Sequence, residues 1–170
     1  MLVFQAEAMN KKAVTQQQKD GGHKLIAANK RARYDYHIIE TFEAGMVLTG
    51  PEIKSIRKGD VSLAQSFVVA MGEEHFLVGA HINPYSFDNA KEYDPVRKRK
   101  LLLNRAEIDK ITGRTATKGY TCVPLQIYLK GGRAKLEIAL AKGKNAPDKR
   151  DSIKERESKR EMDRAVKQGR

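Results

Sequence analysis

Histidine and cysteine, the side chains most often used as metal ligands, general bases or nucleophiles, are few in this sequence. Four histidines and one cysteine occur, and Cys122 has no partner in a C-x-x-C pair, so metal-ligand spacing is absent. Asp35 and His37 could share one face of a strand, but such a pair is more often surface decoration, and no serine or cysteine stands in a nucleophile motif. The histidines are His23, His37, His75 and His81. We therefore predict no catalytic residue, no metal and no cofactor.

Positive charge is the stronger chemical signal. Lysine and arginine number 33 against 21 aspartates and glutamates, which gives a formal net charge of +12. Such an excess on a chain of 170 residues costs self-repulsion and indicates a polyanionic partner, of which nucleic acid comes first. A membrane surface is the competitor, but no apolar run approaches the ~20 residues of a spanning helix, so we expect no membrane partner.

Four basic groups stand at the predicted boundaries of helices and strands. They are Lys30 to Arg33, Lys54 to Lys58, Arg97 to Lys100, and Lys142 to Lys144. Taken alone, the third group is explained equally well by a solvated loop and by nucleic-acid contact. On a small barrel, several groups can converge on one surface. If about six to ten of these cations meet phosphates, RNA affinity should fall by roughly 10³ to 10⁵ between about 50 and 200 mM salt.

Glu43 is an acidic residue within this basic chain. A carboxylate among cations more often forms an ion pair with a neighbour. It can also accept hydrogen bonds from a base amine or a 2′-hydroxyl and so help to identify RNA. Both explanations stay open from the sequence.

The second basic group is positioned by the stretch before it. Alternating apolar residues from Tyr34 to Ile38 predict a strand, Gly45 is predicted to interrupt the run, and Met46 to Leu48 resume it as a second strand. A capping signature follows, with Thr49 as N-cap, and Glu52 reaches back to it. A short helix should therefore begin here.

Helical spacing predicts which residues of this helix face the core and which face solvent. Ile53 and Ile56 are three residues apart and should point inward, whereas Lys54, Arg57 and Lys58 should point outward. Gly59 is predicted to end the helix. The element should then present three positive charges to a partner.

The remaining patterns predict hairpins and one further helix. These are a hairpin of Phe67 to Met71 with His75 to Ile82, an exposed loop from Asn83 to Asp94, and a helix capped by Asn104 and Glu107 that ends at Gly113. A second hairpin joins Val123 to Leu129 with Leu136 to Leu140 through a turn at Gly131-Gly132. Of Leu101 to Leu103, two should pack in the core. About six strands and two or three short helices without a βαβ rhythm predict a mainly β fold, a small antiparallel barrel.

Composition divides the chain into three parts. Residues 1–22 are polar and predicted to be a disordered arm, 23–141 should form the barrel, and 142–170 should be a basic tail that is disordered alone and becomes helical against a charged partner. Met9 looks like a natural start, so Met1 to Ala8 are interpreted as an upstream mis-start. A single cysteine fits a reducing cytoplasm.

Several sequence blocks, in one order, resemble the SmpB family of SsrA-binding proteins. The blocks are Asn29-Lys30-Arg31-Ala32, ETFEAG with LTG and EIKSIR at Glu40 to Arg57, RKLLLN at Arg99 to Asn104, GYTCVPLQIY at Gly119 to Tyr128, and LAKGK with DKR at Leu140 to Arg150. Together they run from about Ala28 to the C-terminus. Long ordered matches are far more specific than a lone short motif.

The resemblance implies a monomeric, non-enzymatic protein with an oligonucleotide-binding-like (OB-like) β-barrel. It implies that the barrel binds the tRNA-like domain of transfer-messenger RNA, and that the tail enters the vacant messenger channel of a stalled ribosome. By position, the RNA-contacting residues are Asn29, Glu43, Leu102 and Asn104, with Lys135, Lys142 and Lys144 as backbone clamps. The basic-group residues Lys30, Arg31, Lys54, Arg57, Lys100 and Gly143 complete the predicted RNA surface. Asp148, Lys149 and Arg150 match a tail motif needed for accommodation and tagging.

The sequence departs from the family pattern at two places. Pro51 stands where a non-proline residue is usual, which the first turn of a helix tolerates, and Asn145-Ala146-Pro147 replaces a stretch that often carries a lysine and a histidine. Two other functions stay open. One is a barrel-type translation factor or ribosomal protein that binds ribosomal RNA directly, and the other is a small RNA-modifying enzyme, which the missing motifs disfavour.

Overall fold

A computed structural model describes residues 23–87, 93–145, 153–154, 157–162 and 164. Within 23–87 and 93–145, nine strands and three helices are defined. The strands are β1 (Lys24–Ala28), β2 (Tyr36–Met46), β3 (Val61–Ser62), β4 (Phe67–Met71), β5 (Glu74–Val78), β6 (His81–Ile82), β7 (Arg99–Leu102), β8 (Tyr120–Lys130) and β9 (Arg133–Gly143). The helices are α1 (Ala32–Asp35), α2 (Gly50–Lys58) and α3 (Arg105–Thr115).

Six strands close into an antiparallel barrel. The strands follow the order β8-β4-β5-β7-β2-β9, and β9 pairs again with β8 to complete the ring. One edge of β8 pairs with β4 at Cys122 and, further along the strand, with β1. Closure pairs β8 and β9 on both of their edges and encloses the main apolar core. The predicted mainly β barrel with short flanking helices is confirmed.

The β8–β9 hairpin forms the longest ladder of the barrel. Lys130 pairs with Arg133 across the predicted Gly131-Gly132 turn, and the ladder continues to Tyr120 and Lys142. A β-bulge between Pro124 and Gln126 then interrupts the alternation. A bulge adds one residue to one strand and reverses which side chains face inward beyond it. The predicted hairpin is confirmed, but the predicted alternation of inward residues holds only on one side of the bulge.

The bulge creates a second, smaller core. Val123 and Leu125 pack with Ala32, Ala139 and Ala141 rather than with Ile127 and the main core. These residues bring α1 onto β8 and β9. The short helix therefore covers apolar positions of two strands and holds the first basic group against the barrel.

Three local predictions about the first half of the barrel are wrong. β2 begins at Tyr36 because the preceding residues form α1, and it continues through Gly45 to Met46 as one strand. Gly45 pairs with both Leu102 and Lys135, so the glycine lies inside a ladder rather than at a break. In addition, β1, which lies before α1, was not predicted. Gly79, with φ of +75°, separates β5 from β6 within the predicted run His75 to Ile82.

The two predicted helices start where their capping residues indicate. The Thr49 amide donates to Glu52 Oε2 at 2.8 Å, and the Asn104 amide donates to Glu107 Oε2 at 2.9 Å. α2 ends at Gly59 as predicted, with φ of +91°. α3 runs past Gly113 to Thr115, so the predicted stop is wrong. A glycine ends a helix only where the chain adopts the left-handed conformation, and Gly113 does not.

The termini are described only in part. The arm 1–22 lies outside the described residues, as does the question of the true start. β9 extends to Gly143, two residues beyond the predicted end of the barrel at residue 141. The described tail positions 153–154, 157–162 and 164 have helical backbone and are exposed. Of the described helices, none has the length and apolar content needed to cross a membrane.

Candidate nucleic-acid interface

Glu43 is the centre of a polar cluster on the outside of β2. Its carboxylate accepts a hydrogen bond of 2.5 Å from the Tyr128 hydroxyl and one of 3.0 Å from Lys130 Nζ, and Lys135 Nζ lies 3.6 Å away. The hydrogen bond from Tyr128, supported by both lysines, holds the pKa of Glu43 below its ordinary value despite partial burial. The carboxylate is thus ionised and fixed in direction, and it remains partly open to solvent.

A shallow groove lies close to this cluster. It has a volume of about 410 Å³, and Met46, Leu48 and Ile53 contribute its apolar lining. Its remaining lining residues are Gly45, Arg57, Leu102, Gly132, Arg133, Ala134 and Lys135. An apolar floor with three cations at its edge suits a nucleotide, because the base can lie on the floor while its phosphates meet the cations.

Leu102 is placed in this groove by the absence of a side chain at Gly45. A Cβ on Gly45 would stand 3.2 Å from Leu102 Cβ, which is closer than most real Cβ contacts. Leu101 is buried and Leu103 packs at the edge of the core, as predicted for two of the three leucines. Leu102, in contrast, is 53% exposed. Its position agrees with the predicted role as a surface contact.

Asn29 directly follows the last residue of β1 and organises the first basic group. Its amide nitrogen donates to the Pro124 carbonyl at 3.1 Å, and its amide oxygen accepts from the Ala32 backbone at 3.3 Å. The side chain is therefore engaged in holding the turn before α1. Lys30 and Arg31 follow at the surface, and Arg31 is 83% exposed with Asp35 3.9 Å away.

The end of β9 joins the first basic group. The Lys144 amide donates to the Asp35 carbonyl at 2.9 Å, and Lys144 Nζ donates to the Arg33 carbonyl at 3.2 Å. Gly143 pairs with Tyr36, and the Lys142 ammonium lies 5.9 Å from the centre of the Tyr120 ring. The first and fourth basic groups, distant in sequence, thus form one cationic cluster.

The predicted RNA-binding residues therefore form two clusters and not one. The groove cluster holds Glu43, Arg57, Leu102 and Lys135, and the terminal cluster holds Asn29, Lys30, Arg31, Lys142, Gly143 and Lys144. Glu43 and Tyr36 mark the two ends on β2, and seven residues of strand separate them by about 23 Å. Because β2 and β9 run through both clusters, the barrel holds them at a constant distance.

Two members of the third basic group, Arg97 and Arg99, bind within the protein and do not form part of either cluster. Arg99 has no exposed side chain and donates through Nε to Glu52 Oε1 at 2.8 Å, while its Nη1 donates to the Ala80 carbonyl at 2.7 Å. Arg97 also binds Glu52, with Nε 2.8 Å from Oε1. Burial raises the pKa of Glu52, but both arginines and the Thr49 amide outweigh it and lower the pKa. These cations tie α2 to the barrel.

The remaining predicted contacts lie outside the two clusters. Lys100 forms an ion pair with Glu74, and Lys54 lies 5.2 Å from the centre of the Tyr85 ring. Asn104 is exposed at the start of α3, two residues beyond Leu102. Asp148, Lys149 and Arg150 lie outside the described residues.

Tyr128 and Lys130 were missed by the sequence reasoning, although they lie in the block that carries the resemblance or directly after it. Both contact Glu43 across more than eighty residues of sequence. Tyr128 and Lys130 alternate with the core residues Ile127 and Leu129, and this alternation was the available signal that both side chains point outward. Their pairing with Glu43 could not be seen, because it depends on how β9 lies between β8 and β2.

Comparison with known proteins agrees with this geometry. Residues 26–168 match the family model described as SmpB protein. An SsrA-binding protein of Anaeromyxobacter dehalogenans (strain 2CP-C) is 50% identical over 151 residues, which cover 89% of this chain and 93% of that protein. An SsrA-binding protein of Geobacillus thermodenitrificans (strain NG80-2) is 52% identical over 148 residues, which cover 87% and 96%.

A solved structure described as "tmRNA-SmpB: a journey to the center of the bacterial ribosome" shares the fold. It is 45% identical, with a TM-score of 0.59 over 70% of this chain and 84% of that chain. The family match spans most of the sequence, and the blocks Asn29 to Ala32 and Leu140 to Arg150 lie inside it. The ordered motifs, the closed barrel and these relatives together show that the chain belongs to the SmpB family.

Proposed function

We propose that this protein is an RNA-binding adaptor for ribosome rescue. Its barrel binds the tRNA-like domain of transfer-messenger RNA and delivers it to stalled ribosomes for trans-translation, while its tail probes the empty messenger channel. The relatives named SsrA-binding protein and the solved tmRNA-SmpB structure support this function over that of a ribosomal protein. The protein works in the cytoplasm, as a monomer and without catalysis.

The observation that carries the proposal is the ionised Glu43 beside the groove of Arg57, Leu102 and Lys135. Nearby cations meet phosphates, the exposed leucine offers an apolar contact to a base or sugar, and the carboxylate selects hydrogen-bond donors such as a base amine or a 2′-hydroxyl. A carboxylate at the centre of the site disfavours indiscriminate binding to any polyanion. The groove cluster thus combines affinity with selectivity.

The distance between the two clusters supports a folded RNA as the partner. The terminal cluster lies about 23 Å along the same strand from Glu43, at the other end of the β2–β9 ladder. A rigid barrel cannot bring the clusters together. A structured RNA that presents phosphates at two fixed places can contact both clusters with little loss of conformational entropy. A flexible strand would lose conformational entropy on binding.

The binding test uses the full-length protein and the isolated tRNA-like domain. We expect nanomolar affinity in moderate salt, and Arg57→Gln and Lys135→Gln should each weaken binding and reduce the salt slope by about one. Arg114→Gln is the matched control, because Arg114 is exposed on α3 and belongs to neither cluster. Indifference of the wild-type protein to this RNA would overturn the proposed function.

The tail requires a separate test. Because β9 extends to Gly143 and the Lys144 amide binds Asp35, a chain ended after Asn145 keeps the terminal cluster. This truncation should retain most of the RNA affinity and lose peptide tagging on stalled ribosomes. Alanine replacements of Asp148, Lys149 and Arg150 in the full-length chain should reproduce the loss. Normal tagging by the truncated protein would refute the role given to the tail.

A further inference from the structure

A group of aromatic and basic side chains lies on the side of α2 that does not face the groove. Lys58 Nζ is 4.5 Å from the centre of the Tyr85 ring and 5.3 Å from that of Phe87, and Lys54 Nζ is 5.2 Å from Tyr85. The two ring centres are 5.6 Å apart, with their planes inclined by 57°. We call Lys54, Lys58, Tyr85 and Phe87 the aromatic platform.

Packing of the loop against α2 explains only part of this platform. Tyr85 is half-buried, so its ring fixes the segment after β6 to the helix. Phe87 is 79% exposed, more than any other large apolar side chain in the described part of the chain. Cation–π contacts at exposed sites contribute little stability, so they do not explain why this ring is exposed to solvent. Phe87 is therefore an exposed apolar ring beside the Lys58 ammonium, and burial does not account for its position.

The combination has a known binding chemistry. An exposed aromatic ring offers a stacking face to any unpaired nucleobase, and lysines beside it bind the flanking phosphates. Lys54 and Lys58 are one helical turn apart, so both ammonium groups reach the same side of the helix. An acidic peptide would use the two lysines and gain little from the ring, whereas a nucleotide uses all four side chains.

α2 also connects the platform to the groove cluster. Arg57, between the two lysines of the platform, donates through Nη2 to the Gly132 carbonyl at 3.1 Å and lines the groove. Lys58 follows Arg57 by one residue, which turns its side chain by about 100° around the helix. One short helix thus presents cations to both surfaces. The platform continues the RNA-binding surface and is not an isolated patch.

We propose that the aromatic platform is a second RNA contact, in which one unpaired base stacks on Phe87 while Lys54 and Lys58 bind the adjacent phosphates. This inference rests on the proposed function. It adds aromatic stacking of a base to a surface that otherwise offers cations, a carboxylate and aliphatic contacts. The unpaired nucleotide belongs either to transfer-messenger RNA or to ribosomal RNA, which present the same chemistry.

The chain contains no tryptophan, which provides a direct test. In Phe87→Trp, the single indole should be quenched when a base stacks on it. Titration with the tRNA-like domain in one experiment, and with vacant ribosomes in another, distinguishes the two sources. Met71→Trp is the control, because Met71 is exposed at the β4–β5 hairpin beside Glu73 and Glu74. Its fluorescence should stay unchanged by RNA contact at the platform.

Affinity measurements complete the test. Phe87→Ala should weaken binding by about 5- to 150-fold to the RNA that supplies the base, and Phe87→Tyr should restore it. Met71→Ala should bind like the wild type, and all variants should retain the wild-type melting temperature because both side chains are exposed. Unchanged affinity of Phe87→Ala for both RNAs, with the wild type binding normally, would overturn this inference and leave the proposed function intact. Failure of the wild type to bind either RNA would overturn both.

Discussion

Replacement of Glu52 by glutamine tests the structural role given to Arg97 and Arg99 of the third basic group. Glu52 and Arg99 have no exposed side-chain surface, and Arg97 and Arg99 both donate to the Glu52 carboxylate. Glutamine keeps an acceptor for the Thr49 amide and the size of the side chain. The replacement therefore removes the negative charge while the capping box remains available.

The expected loss of stability follows from the buried arginine. Removing one partner of a buried ion pair costs about 3 to 5 kcal/mol, because the other charge stays out of water without compensation. For a chain of this size, that corresponds to a fall in Tm of roughly 6 to 20 °C. Far-UV circular dichroism during thermal and urea unfolding measures it directly.

Glu74→Gln is the matched control. Glu74 pairs with Lys100 at the surface, where 47% and 40% of the side chains are exposed. Such a pair contributes less than about 1 kcal/mol. If Glu52→Gln lowers the free energy of unfolding by no more than Glu74→Gln does, then Arg97 and Arg99 are not held by Glu52, and their exclusion from the RNA surface is wrong.

Three further predictions concern single residues. His75 is buried, neither ring nitrogen has a hydrogen-bond partner, and burial lowers the pKa of the imidazole. The folded protein should therefore lose stability as pH falls below about 6.5, because the unfolded chain binds a proton there and the folded chain does not. Urea unfolding at pH 7.5 and 5.5 measures this loss, which should be smaller in His75→Leu. Gly45→Val should displace Leu102 and weaken RNA binding while circular dichroism stays native, and unaltered affinity would contradict the role of the groove. Gly113→Ala meets open space inside α3 and should raise the free energy of urea unfolding by about 0.5 to 1 kcal/mol, and an unchanged value would contradict a continuous helix at this position.

Local signals were predicted well because neighbouring residues generate them. The capping boxes of Thr49 and Asn104 place the starts of α2 and α3, since a cap involves only one turn of chain. The Gly131-Gly132 turn places the β8–β9 hairpin for the same reason. The glycines at positions 45 and 113 were misjudged as breaks. Gly45 lies in a ladder opposite Leu102, and Gly113 keeps the helical conformation, so neither ends its element.

The structure brings together residues that the sequence named separately, and whether they contact RNA stays a prediction. Motif positions identified Glu43, Leu102 and Lys135, and the structure brings them to one end of the β2–β9 ladder. The contact of Tyr128 with Glu43 was missed, because it requires knowledge of how β9 separates β8 from β2. Whether Asp148 to Arg150 act in the ribosome stays a prediction.

The amino-acid sequence by itself determined the family, the excess of positive charge, the helix starts and the main hairpin, because these depend on residue types and short spacings. Only the tertiary structure determined where each cationic side chain lies and what it contacts. Arg99 and Lys144 look alike in a basic run, yet one is buried on Glu52 and the other joins the terminal cluster. That difference arises from burial and from strand pairings between residues about a hundred positions apart, which no local pattern encodes.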